Sequence, residues 1–459
     1  VVEESKREGA ATTRDAEKHP KGLYVLFATE MWERFSFYSM LAMFTLYLRD
    51  TTGQGFGWSV DRATGLYANY QMFVYASPLI GGWLADRKLG YRRAVMTGGL
   101  FFMAGHLLLS FRSLPVVYAA LACLVVGNGL FKPNVSTMVG NLYPEGSHLK
   151  DRAYNIFYMG INVGAFLAPV VAEFVQGRFG YHPAFAVAAG GMAISVWIQW
   201  QFRRHLSGVD KRQAIDDAAQ AADAAAVAVN APPHGVSRQE TLEAVPEWKR
   251  VGALLVVFAI VIVFWMAFQQ NGSTMTYWGN ENTNWRVTGI ISNAIGPGWV
   301  LVLTFPLVWF WNWLDARGLE PSTPTKMACG MMLTSAAFLV LYFGARVGEA
   351  SAAPGNVYGY KVSPAWLVGS YGVLTLGELM LSPMGLALVS KVAPRRYRGL
   401  MMGGWFVATA LGNKLTQIGE LWDDWLHSSF WLFLSACALV MAFVLLFLMR
   451  PLKKAMPGV

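Results

Sequence analysis

Charge is scarce in this 459-residue sequence: 14% of residues are Asp, Glu, Lys or Arg, against 54% that are hydrophobic. An ordinary soluble core cannot hide so much apolar surface, which includes 18 Trp and 21 Met, so lipid is the expected solvent. Cysteine is rarer still. Cys123, Cys329 and Cys437 lie singly in apolar segments, which excludes a disulfide framework and a zinc site built on cysteine pairs. The apolar segments hold no nucleophile–base pair and no metal-ligating cluster, and no cofactor motif appears, so an enzyme is not expected. The first twenty residues lack the hydrophobic core of a cleavable signal, which leaves the first apolar segment to serve as the insertion signal.

Long hydrophobic runs are what the sequence has. Cutting the chain where polar residues interrupt them gives about twelve segments of at least ~18 residues, the length of a spanning helix. They lie near 23–48, 63–86, 94–112, 115–139, 153–175, 181–202, 250–276, 287–313, 325–345, 364–390, 398–419 and 429–449. Backbone groups left unpaired in hydrocarbon are costly, so runs of this length form helices; a barrel would show alternating strands of ~10 residues. The expected class is an all-α membrane protein.

Lys and Arg set the orientation. With both termini cytoplasmic, the inside segments hold 27 of these 37 residues, the outside loops 7 and the spans 3, as the positive-inside rule requires. The net charge of +9 is thus mostly a topology signal, and its dispersal over short loops such as "DRKLGYRR" and "KVAPRRYRG" argues against nucleic-acid binding. The long polar interruption at 203–249, with "DDAAQAADAAAVAVNAPPHG", divides six spans from six. The expected organisation is a cytoplasmic tail 1–22, a six-helix bundle 23–202, a cytoplasmic linker 203–249, a second bundle 250–449 and a tail 450–459. Many secondary transporters share this layout, with the site between the halves near the midplane.

Two motifs carry more. "GGWLADRKLGYRR", Gly81 to Arg93, falls where the second span meets the cytoplasm. Its paired glycines, Gly81 and Gly82, allow close helix approach, and Asp86 and Arg87 are available for a helix-end charge network. It resembles the loop motif of the major facilitator superfamily. "TEMWERFSFYSM", residues 29–40, puts Glu30, Glu33, Arg34, Phe37, Tyr38 and Leu41 on one face of the first span, which must turn from lipid. Ionisable residues inside a span usually mark a pathway, although a paired cluster that only fixes helix packing is the rival reading.

"EMWERFSFY" resembles the "ExxERFxYY" motif of the proton-dependent oligopeptide transporters. "GNGLFKPN" (127–134), "FYMGINVGA" (157–165), "FWMAFQQNGS" (264–273), "EPSTPTK" (320–326), "LGELMLSP" (376–383) and "GLMMGGWF" (399–406) are similar to further motifs of that family, in its order. The resemblance covers essentially the whole membrane domain. It implies a major facilitator fold of two six-helix halves and proton-driven import of di- and tripeptides by alternating access. No cofactor beyond the coupling proton is implied; the partners are peptide, protons and the bilayer, and the working unit is a monomer in the plasma (inner) membrane.

The resemblance also implies roles. Arg34 and Lys132 would face a peptide carboxylate, which a guanidinium can hold bidentately. Glu378 would face the ammonium, Asn162 the peptide backbone, and Tyr38, Tyr75 and Tyr158 would line the site. Trp265, Phe268 and Trp405 match pocket aromatics, with Gln269 and Ser382 beside them. For the proton, Glu30, Glu33, Arg34, Lys132 and Glu378 form the expected coupling set: a carboxylate that loses its cation in low dielectric takes up a proton.

There are departures. Many relatives carry a second Arg where this chain has Leu41, and a Glu or Asp where it has Gln269; the two charges are absent together, which strands neither. An apolar or hydrogen-bonded contact between Leu41 and Gln269 is expected instead. Phe37 replaces a Tyr, and "SNAIGPG" (292–298) lacks the family's Asn-Pro placement and receives no substrate residue. Lys414 has no transferable role and is expected to reach the outer surface or pair with Glu420, while His106 is expected to be packed. The alternative substrate is nitrate or another small anion, against which Glu378 weighs because an acid repels it.

Overall fold

The first span is a 29-residue helix, α1 (Lys21–Arg49), which at 1.5 Å per residue is about 43 Å long and exceeds the ~30 Å hydrocarbon core. It opens a computed structural model that describes residues 19–143, 149–209, 245–394 and 398–456. The other expected spans follow as α2 (Val60–Leu84), α3 (Tyr91–Leu108), α4 (Leu114–Asn141), α5 (Leu149–Phe179), α6 (Tyr181–Gln201), α7 (Glu247–Phe268), α8 (Ser292–Asp315), α9 (Thr323–Ser351), α10 (Pro364–Val392), α11 (Arg398–Leu415) and α12 (His427–Phe447). Among the described residues, eight spans qualify as membrane helices by length and apolarity alone. Those that do not are α1, α2, α3 and α11; α1 contains Lys21, Glu30, Glu33, Arg34 and Arg49.

The seventh span is not one helix. After Phe268 it tightens into a 3₁₀ turn, Gln269–Gly272, and resumes as a short helix, Thr274–Glu281. Asn and Gly are poor helix formers, and Gly272 lies so close to Tyr67 that a Cβ would sit 2.1 Å from the Tyr67 hydroxyl. Carbonyls released by the break must be satisfied within the protein at this depth. Thr45 Oγ1 donates to the Gly272 carbonyl at 3.0 Å, and Thr276 Oγ1 donates to that of Asn271 at 2.7 Å.

The helices pack as a repeat. In the first six, α1 lies against α5 and α6, α2 against α4, and α3 against α4 and α6. Adding six to each label gives contacts also present in the second set: α7 with α11 and α12, α8 with α10, α9 with α10 and α12. Glycines permit the tightest of these. A Cβ on Gly98 would lie 2.8 Å from the Gly127 carbonyl between α3 and α4, and one on Gly330 would lie 2.8 Å from the Gly377 carbonyl at the equivalent α9–α10 crossing. Two seams join the halves, α2 with α11 and α5 with α8.

Of the segments outside the spans, residues 1–18, 210–244 and 457–459 lie beyond the described residues, and with them most of the expected tail and linker. The linker's start forms a 3₁₀ turn, Arg203–Leu206, and the expected C-terminal tail begins as a helix, Met449–Ala455. Cys123, Cys329 and Cys437 are free.

Candidate functional site

The ionisable face of α1 is buried, with Glu30, Glu33 and Arg34 exposed by 2%, 0% and 3%. The Arg34 guanidinium grips Glu33 with two nitrogens, Nη2 donating to Oε1 at 2.7 Å and Nε to Oε2, while Nε also lies 3.2 Å from Glu30 Oε1. One guanidinium therefore serves two carboxylates, and Glu30 Oε2 is buried with no hydrogen-bond partner among the described residues. A second cation is near. Lys132 of α4 lies within electrostatic reach of both glutamates, its Nζ 4.5 Å from the centre of the Tyr75 ring, and makes no ion pair among the described residues.

One turn further along α1, Phe37, Tyr38 and Leu41 enter the wall of a cavity of about 100 Å³ between the halves. Tyr75 of α2 and Asn162 of α5 join them, with Phe268 of α7, Gln269 of the 3₁₀ turn and Glu378 of α10. Six of the expected substrate residues thus meet at one cavity: Tyr38, Tyr75, Asn162, Phe268, Gln269 and Glu378. Glu378 makes no ion pair among the described residues.

The others stand behind or beyond the wall. Arg34 lies 5.1 Å beneath the Phe37 ring, and Lys132 lies against Tyr75, so both cations back the α1–α2 side. Tyr158 is one turn from Asn162, whose Nδ2 donates to its carbonyl at 2.9 Å. Trp265 forms a second layer, 6.4 Å from Tyr75 and 5.5 Å from Phe268 between ring centres. Trp405 packs on Phe258 at 6.4 Å within the apolar core of the second half. Ser382 is half-buried one turn beyond Glu378. Gly82, Asp86 and Arg87 lie where α2 ends; Asp86 and Arg87 are exposed, with Arg87 over the Trp83 ring. At the same crossing a Cβ on Gly81 would fall 1.9 Å from the Gly129 carbonyl of α4.

Leu41 and Gln269 share the cavity wall, but the hydrogen bond of Gln269 goes elsewhere: Gln71 Nε2 of α2 donates to Gln269 Oε1 at 3.2 Å. Gln71 was missed from the sequence, although it lies four residues before Tyr75 on the same face. Asn271, Asn293, Tyr371 and Thr375 were missed too, and Thr375 is three residues before Glu378. "SNAIGPG", read as carrying no substrate residue, brings Asn293, Gly296 and Pro297 to the wall. Lys414 bonds Asn69 Oδ1 across the α2–α11 seam at 2.6 Å, and Gln417, rather than Glu420. His106 is fully buried and stacked on Phe102, as expected of a packed histidine.

The halves are fastened at one end, where α1 finishes and α2 begins. Arg49 Nη1 pairs with Glu281 Oε1 at 2.7 Å, and its guanidinium lies 4.4 Å over Tyr277. The Thr64 and Tyr277 hydroxyls are 3.2 Å apart, and Glu173 Oε1 accepts from the Thr288 amide at 2.6 Å. Among the described residues, no hydrogen bond or ion pair joins the halves at the opposite end.

A model of the POT family matches residues 92–207 and 196–420. The chain is 30% identical over 483 residues to the uncharacterized transporter YclF of Bacillus subtilis (strain 168), with 96% of each chain covered. It is 31% identical over 493 residues, covering 95% of each, to the peptide transporter YePEPT of Yersinia enterocolitica subsp. palearctica serotype O:3 (strain YE-P4). A crystal structure of peptide transporter POT in complex with sulfate superposes with a TM-score of 0.82 at 29% identity, covering 97% of both chains. One of a POT family transporter in complex with 5-aminolevulinic acid gives 0.81 at 26%, covering 96% of this chain and 98% of that one. The helical repeat described above is the major facilitator fold. An integral membrane protein with two six-helix halves, an α1 glutamate–arginine cluster and a cavity between the halves, this chain belongs to the POT family.

Proposed function

We propose that the protein is a proton-coupled symporter that imports di- and tripeptides across the plasma (inner) membrane by alternating access, as a monomer with both termini cytoplasmic. The observation that carries this reading is the charge arrangement about the cavity: an unpaired carboxylate, Glu378, on the α10 wall, and Arg34 and Lys132 behind the α1–α2 wall. A zwitterionic peptide matches it, ammonium toward Glu378 and carboxylate toward the cations. The amides of Asn162, Gln71, Gln269, Asn271 and Asn293 offer donors and acceptors to a peptide bond whatever its side chains. A small anion gains nothing from Glu378.

Coupling follows from competition for cations. Arg34 is committed to Glu33 and Glu30. A peptide carboxylate that draws Arg34 or Lys132 toward the cavity leaves a buried glutamate short of a counter-charge, and a proton restores neutrality. Glu30 Oε2, with no partner, is where that proton is best received. One pH unit supplies about 1.4 kcal/mol per proton, and 100 mV adds about 2.3 kcal/mol. With the termini inside, the fastened end faces outward, so the cavity belongs to a state closed to the exterior.

The test is uptake by pure protein in liposomes. Labelled dialanine should accumulate under an inward proton gradient and only equilibrate without one. Nitrate accumulation with no dialanine uptake would overturn the reading.

A further inference from the structure

Thr64, Tyr67, Gln71 and Tyr75 recur at helical spacing along one face of α2 and run from the fastened end to the cavity. Each meets the seventh span across the boundary between the halves. The Thr64 hydroxyl lies 3.2 Å from that of Tyr277, and Tyr67 packs on Gly272. Gln71 bonds Gln269, and the Tyr75 ring lies 6.4 Å from that of Trp265. The face is therefore a ladder that ties the cavity wall to the closed end.

One rung differs from the rest. Gln71 is 1% exposed, yet it belongs to the cavity wall. Its Nε2 carries two hydrogens and uses both within the ladder, donating to Gln269 Oε1 at 3.2 Å and to the Tyr67 hydroxyl at 3.3 Å. Gln269 opens the 3₁₀ turn that breaks the seventh span, and Gly272 ends it. Gln71 thus reaches one end of the break directly and the other through Tyr67. Its Oε1 is buried with no hydrogen-bond partner among the described residues, which penalises the conformation that holds it so. Turning the amide over would let Oε1 accept from the Tyr67 hydroxyl, but it would also set that oxygen against Gln269 Oε1 and break the contact between the halves. The clasped orientation is the one with an acceptor to offer, and the cavity is where a donor can arrive.

We infer that Gln71 is the positioning residue through which an occupied cavity holds the fastened end shut. An N–H of the bound substrate donates to Gln71 Oε1, fixes the amide in its clasped orientation and so keeps the broken span against α2. A ligand shifts a two-state equilibrium only by its differential interaction with the two states. Here the difference is a hydrogen bond available only in the clasped one. The inference rests on the peptide reading of the cavity, because a peptide bond presents such an N–H whatever the side chains beside it. Nitrate, which has no donor, would enter the cavity without closing it.

The experiment measures spin–spin distances across the fastened end in the full chain, with Cys123, Cys329 and Cys437 replaced by Ser and nitroxides on Thr51→Cys and Asn284→Cys, two exposed positions in opposite halves. Saturating dialanine should raise the closed-to-open ratio about tenfold, and Gln71→Met should cut that response to about twofold. The empty protein should change little in the same variant, because it loses the bonds of Nε2 and the penalty on Oε1 together. Gln269→Met, which leaves Gln71 in place, should also abolish the response, and the double variant should lose no more than either single one. Melting temperatures near that of the parent show that each variant is folded. A Gln71→Met protein that still closes tenfold, or one whose empty and loaded distributions shift alike, would overturn the inference, the second result being that of a merely structural residue. Calorimetric binding of dialanine tests the peptide reading separately: no binding overturns that reading, whereas binding without closure that depends on Gln71 overturns only the inference.

Discussion

Leu41→Arg and Gln269→Glu, made singly and together, test the inference that this chain lacks both members of a charge pair between its first and seventh spans. Leu41 is 5% exposed and Gln269 4%, and both face the cavity. A guanidinium at position 41 alone would be buried without a counter-ion, a situation that costs about 3–5 kcal/mol. A carboxyl at position 269 alone can stay protonated and keep the Gln71 Nε2 donor now 3.2 Å from Gln269 Oε1, so its cost should be no more than about 1 kcal/mol. Together the two make a pair, and the coupling should reach roughly 2–3 kcal/mol, near the upper end for groups in direct contact. Initial rates of peptide uptake and thermal unfolding in detergent give two independent double-mutant cycles. Adding Gln71→Leu should enlarge the coupling, because the introduced carboxylate would then have only the introduced guanidinium to satisfy it. Additivity within about 0.5 kcal/mol in both assays would show that positions 41 and 269 do not meet, and the joint-loss argument would fail.

Three further outcomes are expected. Glu378→Gln should weaken binding of peptides with a free amino terminus by about 1.5–3 kcal/mol while N-acetylated peptides lose little more; equal losses in a competition assay would remove the ammonium contact. Lys132→Ala should abolish proton-driven accumulation yet leave peptide exchange at equal pH, and a variant that accumulates normally would take Lys132 out of the coupling scheme. Glu281→Gln should shift the halves toward opening at the fastened end by no more than about fivefold, since its side chain is 39% exposed and pairs of that kind contribute ~1 kcal/mol or less. Spin–spin distances across that end would measure it, and an unchanged distribution would show that the Thr64–Tyr277 and Glu173–Thr288 contacts suffice.

Whatever depends on one helix was legible in the sequence. Apolar length announced the spans, and 3.6-residue periodicity put Glu30, Glu33, Arg34, Phe37 and Tyr38 on one face, where the structure has them. Hydrogen-bond partners supplied by a different helix were not legible. Gln269 finds Gln71 from 198 residues away, and nothing local to either residue names the other. The break at Gln269–Gly272 was equally hidden: the seventh span reads as one apolar run, and the turn is set by Tyr67 of α2, which leaves no room for a Cβ at Gly272. That break has consequences for mechanism. It turns a carbonyl of the second half into the acceptor for Thr45 of the first, and it lets the wall residues Gln269 and Asn271 leave helical geometry within the bilayer. In the proposed alternating-access cycle this span must come away from the opposite half, and it is held there by neutral hydrogen bonds at its midpoint and by a partly exposed ion pair at its end. Each is worth about 1 kcal/mol, strong enough together to define a state and weak enough to be broken by the binding energy of the proposed substrate.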